Sequence, residues 1–146
     1  QLLARQFPAD SGVWMRLGDT RLGGRKDSLA LEAYRRALKV SPDSEEARQA
    51  VERVETILRL DPTRRGLPVR ERARRWDELL QRVLKMVEAC GRDEQAKHAR
   101  PLLQKKASTL RLVDEKMAAV RKLWLEADPS CRTDAVVSSI MAKLEE

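Results

Sequence analysis

The chain has 146 residues, of which 36% are charged and 3% are aromatic, and its formal net charge is +7. This length is enough for a core that buries roughly two thirds of the unfolded surface. The sequence has no period-two clusters of β-branched and aromatic residues, no run of about 18 apolar residues, and no basic-then-apolar signal peptide at its start. The composition therefore predicts an all-α protein and excludes a membrane-spanning helix.

The segment between Trp14 and Pro42 carries the strongest motif of the chain. Its motif residues are Trp14, Leu17, Gly18, Ala30, Tyr34, Ala37 and Pro42. Their order and spacing resemble those of one tetratricopeptide repeat, a helix-turn-helix unit of about 34 residues. Pro8 lies one repeat length before Pro42, so we expect a preceding repeat to end as the chain begins. The chain thus resembles the tetratricopeptide-repeat proteins over residues 1–60, most strongly over residues 14–42.

The motif residues suit the close packing of two antiparallel helices. Trp14 and Leu17 share one face of the first helix, and Gly18 leaves room on that face for the second helix. We expect the helices to dock through the rings of Trp14 and Tyr34. The sequence departs from the family pattern at Arg21, where the first helix usually has an aromatic residue, and at Arg25, where glycine is frequent after the turn.

A capping helix is predicted after the repeat. Asp43 and Glu46 form a helix-start signature, so this helix opens near Ser44 and ends before Asp61. Its apolar stripe consists of Ala47, Val51, Val54 and Leu58. We therefore predict a tetratricopeptide-repeat region with a capping helix over residues 1–62, packed as one continuous unit with a second region over residues 63–146.

The resemblance implies a concave groove, lined by the first helix of each repeat, that binds an extended or helical peptide of a partner. On this sequence the groove positions are Gly12, Met15, Asp19 and Leu22. The sequence contains no asparagine, which disfavours the chaperone-binding subclass of the family, since that subclass grips acidic carboxy-terminal tails through asparagines and lysines.

Residues 63–146 are predicted to form a C-terminal antiparallel helical bundle. A connector at Thr63–Pro68 precedes two long apolar seams, which are expected to pack against each other. The first seam consists of Ala73, Trp76, Leu80, Val83, Val87 and Cys90, and the second of Leu110, Val113, Met117, Val120, Trp124 and Ala127.

A more polar stretch at residues 93–107 separates the two seams. Pro101 limits how far a single helix can run through it, and Ser108 or Thr109 offers the next N-cap. A last helix from Asp134 to Leu144 is expected to close the bundle.

The geometry of this region decides whether Cys90 and Cys131 can form a disulfide. One unbroken helix over residues 93–127 would separate its ends by about 50 Å and prevent a bond. A turn near residues 107–109 would instead bring both cysteines to the same pole, where a bond would close a loop of about 40 residues and stabilise the fold by roughly 4 kcal/mol. We favour the second arrangement, which favours a bacterial periplasm or cell envelope over the cytoplasm. The alternative is two buried free thiols in a cytosolic protein.

The positive charge is concentrated at the start of the second region. Its arginines are Arg64, Arg65, Arg70, Arg72, Arg74 and Arg75. Guanidinium groups suit carboxylates and phosphates, so Arg70 and Arg74 are candidate partner-binding residues for an acidic protein segment, an anionic lipid surface or nucleic acid. Nucleic acid is poorly supported, because the nearest aromatic residue, Trp76, lies on the core seam. The alternative is a solvated helix face.

Catalysis and metal binding have little support in the sequence. His98 is the one histidine and has no second histidine or cysteine at ligand spacing. Cys90 follows the apolar seam, where burial would make a thiol inert. We therefore predict no enzyme, no metal site and no cofactor.

The leading interpretation is a non-catalytic scaffold or adaptor that binds a protein or peptide partner, including an acidic one, and helps to assemble a larger complex. One alternative is a basic adaptor that binds nucleic acid or an anionic membrane through the Arg64–Arg75 cluster. Another is a structural spacer of a longer polypeptide. Because the sequence starts at Gln1 inside a repeat, we expect a longer protein, in which membrane contact would require segments outside this chain.

Overall fold

The computed structural model describes residues 1–105 and 109–145. Within these residues all regular structure is helical and no strand occurs, which confirms the all-α prediction. The α-helices of the described residues are α1 (Leu2–Gln6), α2 (Ser11–Gly23), α3 (Asp27–Val40), α4 (Glu45–Leu60), α5 (Val69–Ala89), α6 (Asp93–Ala99), α7 (Leu110–Glu126) and α8 (Ala135–Leu144). Two short 3-10 helices span Arg100–Gln104 and Pro129–Cys131.

The chain forms two compact units, Gln1–Leu58 and Arg59–Glu146. The predicted packing of the two regions as one unit stays a prediction. None of the helices in the described residues is both long enough and apolar enough to cross a lipid bilayer.

Local capping fixes the ends of α2. The Asp10 side chain accepts hydrogen bonds from the backbone N–H groups of Gly12 and Val13, at 2.9 and 3.3 Å, and so caps the start of the helix. After the helix, Arg25 adopts a φ of 59°, in the left-handed region that favours glycine. The turn therefore uses a left-handed residue at the position where the family pattern has glycine.

Helices α2 and α3 approach each other at Gly18. A Cβ atom built on Gly18 would lie within 3.0 Å of three ring carbons of Tyr34, so only glycine fits here without movement of the ring. Tyr34 is 2% exposed, and its hydroxyl donates a hydrogen bond of 2.7 Å to Asp19. The predicted role of Gly18 in helix packing is thus visible as a glycine–tyrosine contact.

Trp14 and Tyr34 occupy different parts of the core. Trp14 packs with Ala33 and Ala37, whereas Tyr34 belongs to a second cluster on which α4 also packs. Met15 contacts both clusters. The two helices dock through both rings, as predicted, and each ring fills its own section of the interface.

Helix α4 packs on the same two core clusters that α2 and α3 form. Ser44 accepts a hydrogen bond of 3.2 Å from the N–H of Ala47, which agrees with a helix start near Ser44. Ala50 and Val54 pack into the cluster around Tyr34, and Ala47 packs into the cluster around Trp14. Both clusters therefore gain part of their burial from this helix.

In the second unit, α5 and α7 lie side by side and run parallel. In their N-terminal halves, the Lys116 ammonium of α7 donates to the Asp77 carboxylate of α5. Just beyond their last turns, Cys90 and Cys131 are bonded as a disulfide with a Cα–Cα distance of 6.0 Å, which is within the usual range for disulfides. The ion pair in the N-terminal halves and the disulfide beyond the C-terminal ends thus define the relative direction of the two helices.

The connection between α5 and α7 is broken into short elements rather than one long helix. Helix α6 ends at Ala99, and the following 3-10 helix, which contains Pro101, ends at Gln104. The Thr109 side chain then accepts a hydrogen bond of 3.4 Å from the N–H of Leu112 at the start of α7. The alternative N-cap Ser108 lies outside the described residues.

The burial of α7 differs from its predicted seam. Val113, Val120 and Trp124 are buried as expected, but Leu110 is 59% exposed. Lys116, which is not part of the predicted seam, is fully buried. Its neighbour Met117, which is part of that seam, is only half-buried. The Lys116 ammonium group is satisfied by Asp77 and by the carbonyl oxygen of Lys105, the latter at 2.9 Å.

Candidate functional site

The four predicted groove positions lie on α2 but have different environments. Gly12 and Asp19 are exposed. Met15 and Leu22 are half-buried, and both pack against the cluster around Tyr34. The last two side chains therefore contribute to the core of the unit as well as to its surface.

Asp19, Tyr34 and Arg53 form a polar constellation on the first unit. Burial, together with the hydrogen bond to Asp19 and the charge of that carboxylate, raises the pKa of Tyr34, while the nearby positive charge of Arg53 opposes this shift. Tyr34 therefore remains a hydroxyl that donates to Asp19 at neutral pH. The exposed Arg53 of α4 forms no ion pair within the described chain, so its guanidinium is available to a partner.

Arg53 was missed in the sequence analysis. It lies one repeat length after Asp19, so the groove positions of α2 could have been extended by one repeat onto α4 to find it. The stripe analysis of α4 considered only the apolar residues. We name Asp19, Tyr34 and Arg53, with the exposed Gly12, the α2–α4 face.

A third feature of the first unit is its exposed apolar side chains near the start. Leu2, Leu3 and Phe7 are 76%, 58% and 54% exposed. Leu3 also lines a pocket of about 290 Å³ together with Val13 and Leu17 of α2. Exposed apolar residues that are grouped in this way are typical of interaction surfaces.

In the second unit, the predicted arginine cluster divides into engaged and unengaged residues. Arg74 binds both Glu71 and Glu78, and Arg75 is buried and donates to Glu71 at 2.9 Å and to the carbonyl oxygen of Asp61 at 2.7 Å. Arg75 therefore ties α5 to the segment before it, whereas the predicted partner-binding residue Arg74 is engaged by two carboxylates of its own helix. We name the remaining four the arginine surface: Arg64, Arg65, Arg70 and Arg72.

The two carboxylates nearest to these arginines in the sequence, Glu71 and Asp61, are already engaged by other groups. Hydrogen bonds from Arg74 and Arg75 lower the pKa of Glu71 to about 2, so this carboxylate is ionised and occupied. Burial by itself raises the pKa of Asp61, but hydrogen bonds from Lys143 and Thr63 outweigh it, and the net shift is downward. The Asp61 carboxylate thus belongs to an internal network.

The disulfide joins one exposed and one buried residue. Cys90 is exposed at the end of α5, whereas Cys131 is 7% exposed. The expectation that Cys90 would be buried beside the seam was wrong, because α5 ends at Ala89 and Cys90 is its C-cap. A bonded cysteine has no free thiol, so this residue is not a nucleophile in the structure.

His98 is exposed on α6 and lines a cleft of about 420 Å³ against α7. The floor of this cleft is apolar and includes Ala99, Leu102 and Leu123. Within residues 1–105 and 109–145, no group of three or more histidine, cysteine, aspartate or glutamate side chains is arranged to hold a metal ion.

Comparisons of this chain with protein-family models, with curated proteins and with solved structures find no match. The function must therefore be argued from the surfaces described above.

Proposed function

We propose that this protein is a non-catalytic adaptor of the tetratricopeptide-repeat type that binds a peptide or protein partner on the α2–α4 face. The observation that carries the proposal is the constellation of Asp19 of α2, Tyr34 of α3 and Arg53 of α4, in which α2 and α4 both pack on the cluster around Tyr34. The resemblance to tetratricopeptide-repeat proteins implies that α2 and α4, as the first helices of successive repeats, line the groove.

The α2–α4 face offers complementary polar groups to a polypeptide. The Arg53 guanidinium can donate two parallel hydrogen bonds to a carboxylate or single bonds to backbone carbonyl oxygens. Asp19 uses one carboxylate oxygen for Tyr34 and keeps acceptor capacity for an N–H group of the partner. A segment that presents an acceptor to Arg53 and a donor to Asp19 would be held in one orientation.

Contacts within the first unit hold the Asp19 side chain of the α2–α4 face in position before a partner binds. Tyr34 is fixed between Gly18 and the core, and it holds the Asp19 carboxylate by a hydrogen bond of 2.7 Å. A side chain that is positioned before the partner arrives loses less conformational entropy on binding. The face is therefore preorganised at Asp19, while Arg53 supplies the adaptable contact.

Affinity capture with in-cell cross-linking tests the proposal. The partners of the wild type are compared with those of Arg53→Glu and of Lys39→Glu, a control with the same charge change at an exposed residue of α3. We expect the wild type and the control to capture a common partner that Arg53→Glu loses. Identical partner sets for all three proteins would refute the α2–α4 face as the binding site.

Substitutions at Met15 and Leu22 are unsuitable for this experiment. Both side chains pack against the Tyr34 cluster, so a charged replacement would reduce stability and binding together. Asp19→Asn is the better second variant, because an amide oxygen can still accept from Tyr34 while the charge is lost.

A further inference from the structure

The arginine surface differs from the rest of the cluster in how its charges are satisfied. Arg64, Arg65 and Arg70 are exposed, and no carboxylate of the described residues pairs with them. Arg72 is half-buried, and its Nε is shielded from solvent without a hydrogen-bond partner among the described residues. Four guanidinium groups within nine residues thus have no carboxylate counter-ion in the part of the chain that the structure describes.

The neighbouring acids are already committed to other groups. Glu71 binds Arg74 and Arg75, and Glu78 binds Arg59 and Arg74. Asp61 binds Lys143. The connector between Asp61 and Glu71 contains no acidic residue. A counter-charge for the arginine surface must therefore come from outside this part of the protein.

We propose that the arginine surface binds an acidic polypeptide segment, through carboxylates that pair with Arg64, Arg65 and Arg70. Planar guanidinium groups bind carboxylates in a paired geometry, which matches side chains of aspartate or glutamate. This site extends the adaptor function to the second unit and uses residues other than those of the α2–α4 face.

Two observations favour a polypeptide over the other anionic partners. Single-stranded nucleic acid requires exposed aromatic side chains for stacking, but Trp76 and Trp124 are 2% and 5% exposed. An interfacial membrane segment inserts apolar side chains beside its basic ones. None of the large exposed apolar residues of the described chain falls within residues 61–72, and Leu67 in the connector is half-buried.

The separation of engaged from unengaged arginines provides the control. Arg64, Arg65 and Arg70 form no side-chain hydrogen bond or ion pair with the described residues, so their replacement by glutamine should leave the melting temperature unchanged. A control triple variant, Lys85→Gln, Arg121→Gln and Lys122→Gln, removes three other exposed positive charges of the same unit. The two variants have equal net charge and differ only in where the charge is lost.

The test uses the full chain and a fluorescein-labelled peptide of six consecutive glutamates, with binding followed by fluorescence anisotropy. We expect the Arg64, Arg65 and Arg70 variant to bind about tenfold more weakly and the control variant less than about twofold more weakly at moderate salt. Equal losses in the two variants would overturn the proposal, because binding would then follow net charge alone.

Two competing probes separate a polypeptide from phosphate-bearing partners. A DNA duplex and vesicles containing phosphatidylglycerol are titrated at the same ionic strength. Tighter binding of either probe than of the peptide, lost in the same triple variant, would overturn the assignment to an acidic polypeptide. If the Arg64, Arg65 and Arg70 variant loses peptide binding while Arg53→Glu still captures its partner, the arginine surface is supported and the α2–α4 face is refuted. If the triple variant keeps peptide binding while Arg53→Glu loses its partner, the α2–α4 face is supported and the arginine surface is refuted.

Discussion

Lys143 of α8 donates a hydrogen bond of 2.6 Å to the carboxylate of Asp61, which lies 82 residues earlier in the chain. The side chains are only 16% and 6% exposed, so water screens this ion pair weakly. The same carboxylate accepts from the backbone and the hydroxyl of Thr63, and the Asp61 carbonyl accepts from Arg75. Asp61 therefore links the connector to both α5 and α8.

Replacement of Asp61 by asparagine should destabilise the protein by about 2 kcal/mol, because it removes the ion pair between Asp61 and the shielded Lys143 ammonium. Urea unfolding followed by circular dichroism measures this loss. The exposed pair Arg35–Glu55 supplies the control, since Glu55→Gln should cost less than about 1 kcal/mol. Equal losses for the two substitutions would contradict the structural role of Asp61.

The pH dependence of stability should reflect the same carboxylate. The pKa of Asp61 is lowered from its ordinary value of 3.8, so its contribution is present above that value and is lost as the pH falls through the folded-state pKa. We expect the melting temperature to be nearly constant from pH 7 to about 5 and to fall more steeply at lower pH. Asp61→Asn should make this acid limb shallower, and an unchanged slope would show that other carboxylates cause it.

Gly18 and Gly23 form a matched pair for testing helix packing. Gly18→Ala should cost about 1–3 kcal/mol, because its Cβ would overlap the ring of Tyr34. Gly23→Ala should be neutral or stabilise by up to about 1 kcal/mol, because nothing lies within 4 Å of its Cβ position and alanine favours the helix. Thermal unfolding of both variants measures the difference. A larger loss at Gly23 would contradict the described contact.

The disulfide should contribute substantially to the second unit. Cys90 and Cys131 are 41 residues apart, and closing a loop of this length stabilises by about 4 kcal/mol in the chain-entropy model. Reduction with dithiothreitol should therefore lower the urea midpoint of the wild type. A Cys90→Ser, Cys131→Ser variant serves as the control, since its midpoint should be low already and insensitive to the reductant. Alkylation of both cysteines in native, unreduced protein would contradict the bond.

The positions that sequence analysis predicted well are those fixed by local pattern. Apolar spacing placed Trp76, Leu80 and Val83 in the core of α5, and the proline and capping residues around Ser44 placed the start of α4. Close approach at Gly18 followed from the absence of a side chain. Each of these features depends on a few neighbouring residues, so one sequence is sufficient to reveal them.

The features that were missed depend on residues far apart in the chain. Lys116 is buried because Asp77, 39 residues earlier, neutralises it, and no helical periodicity contains that information. Arg74 is engaged and Arg70 is not because of where Glu71 and Glu78 lie on the helix, whereas the composition of the cluster treats all six arginines alike. Ion pairing across the fold thus decides which charges are available at the surface.

The bond between Cys90 and Cys131 turns the segment from Gly91 to Ser130 into a covalently closed ring that includes α6 and α7. A protease that cuts once inside this ring cannot separate the two resulting pieces, because the sulfur bridge still joins them. Limited digestion should therefore leave a product that migrates as one chain without reductant and as two after reduction. The arginine surface lies outside the ring, on the N-terminal piece, and the disulfide would keep that piece joined to the C-terminal one.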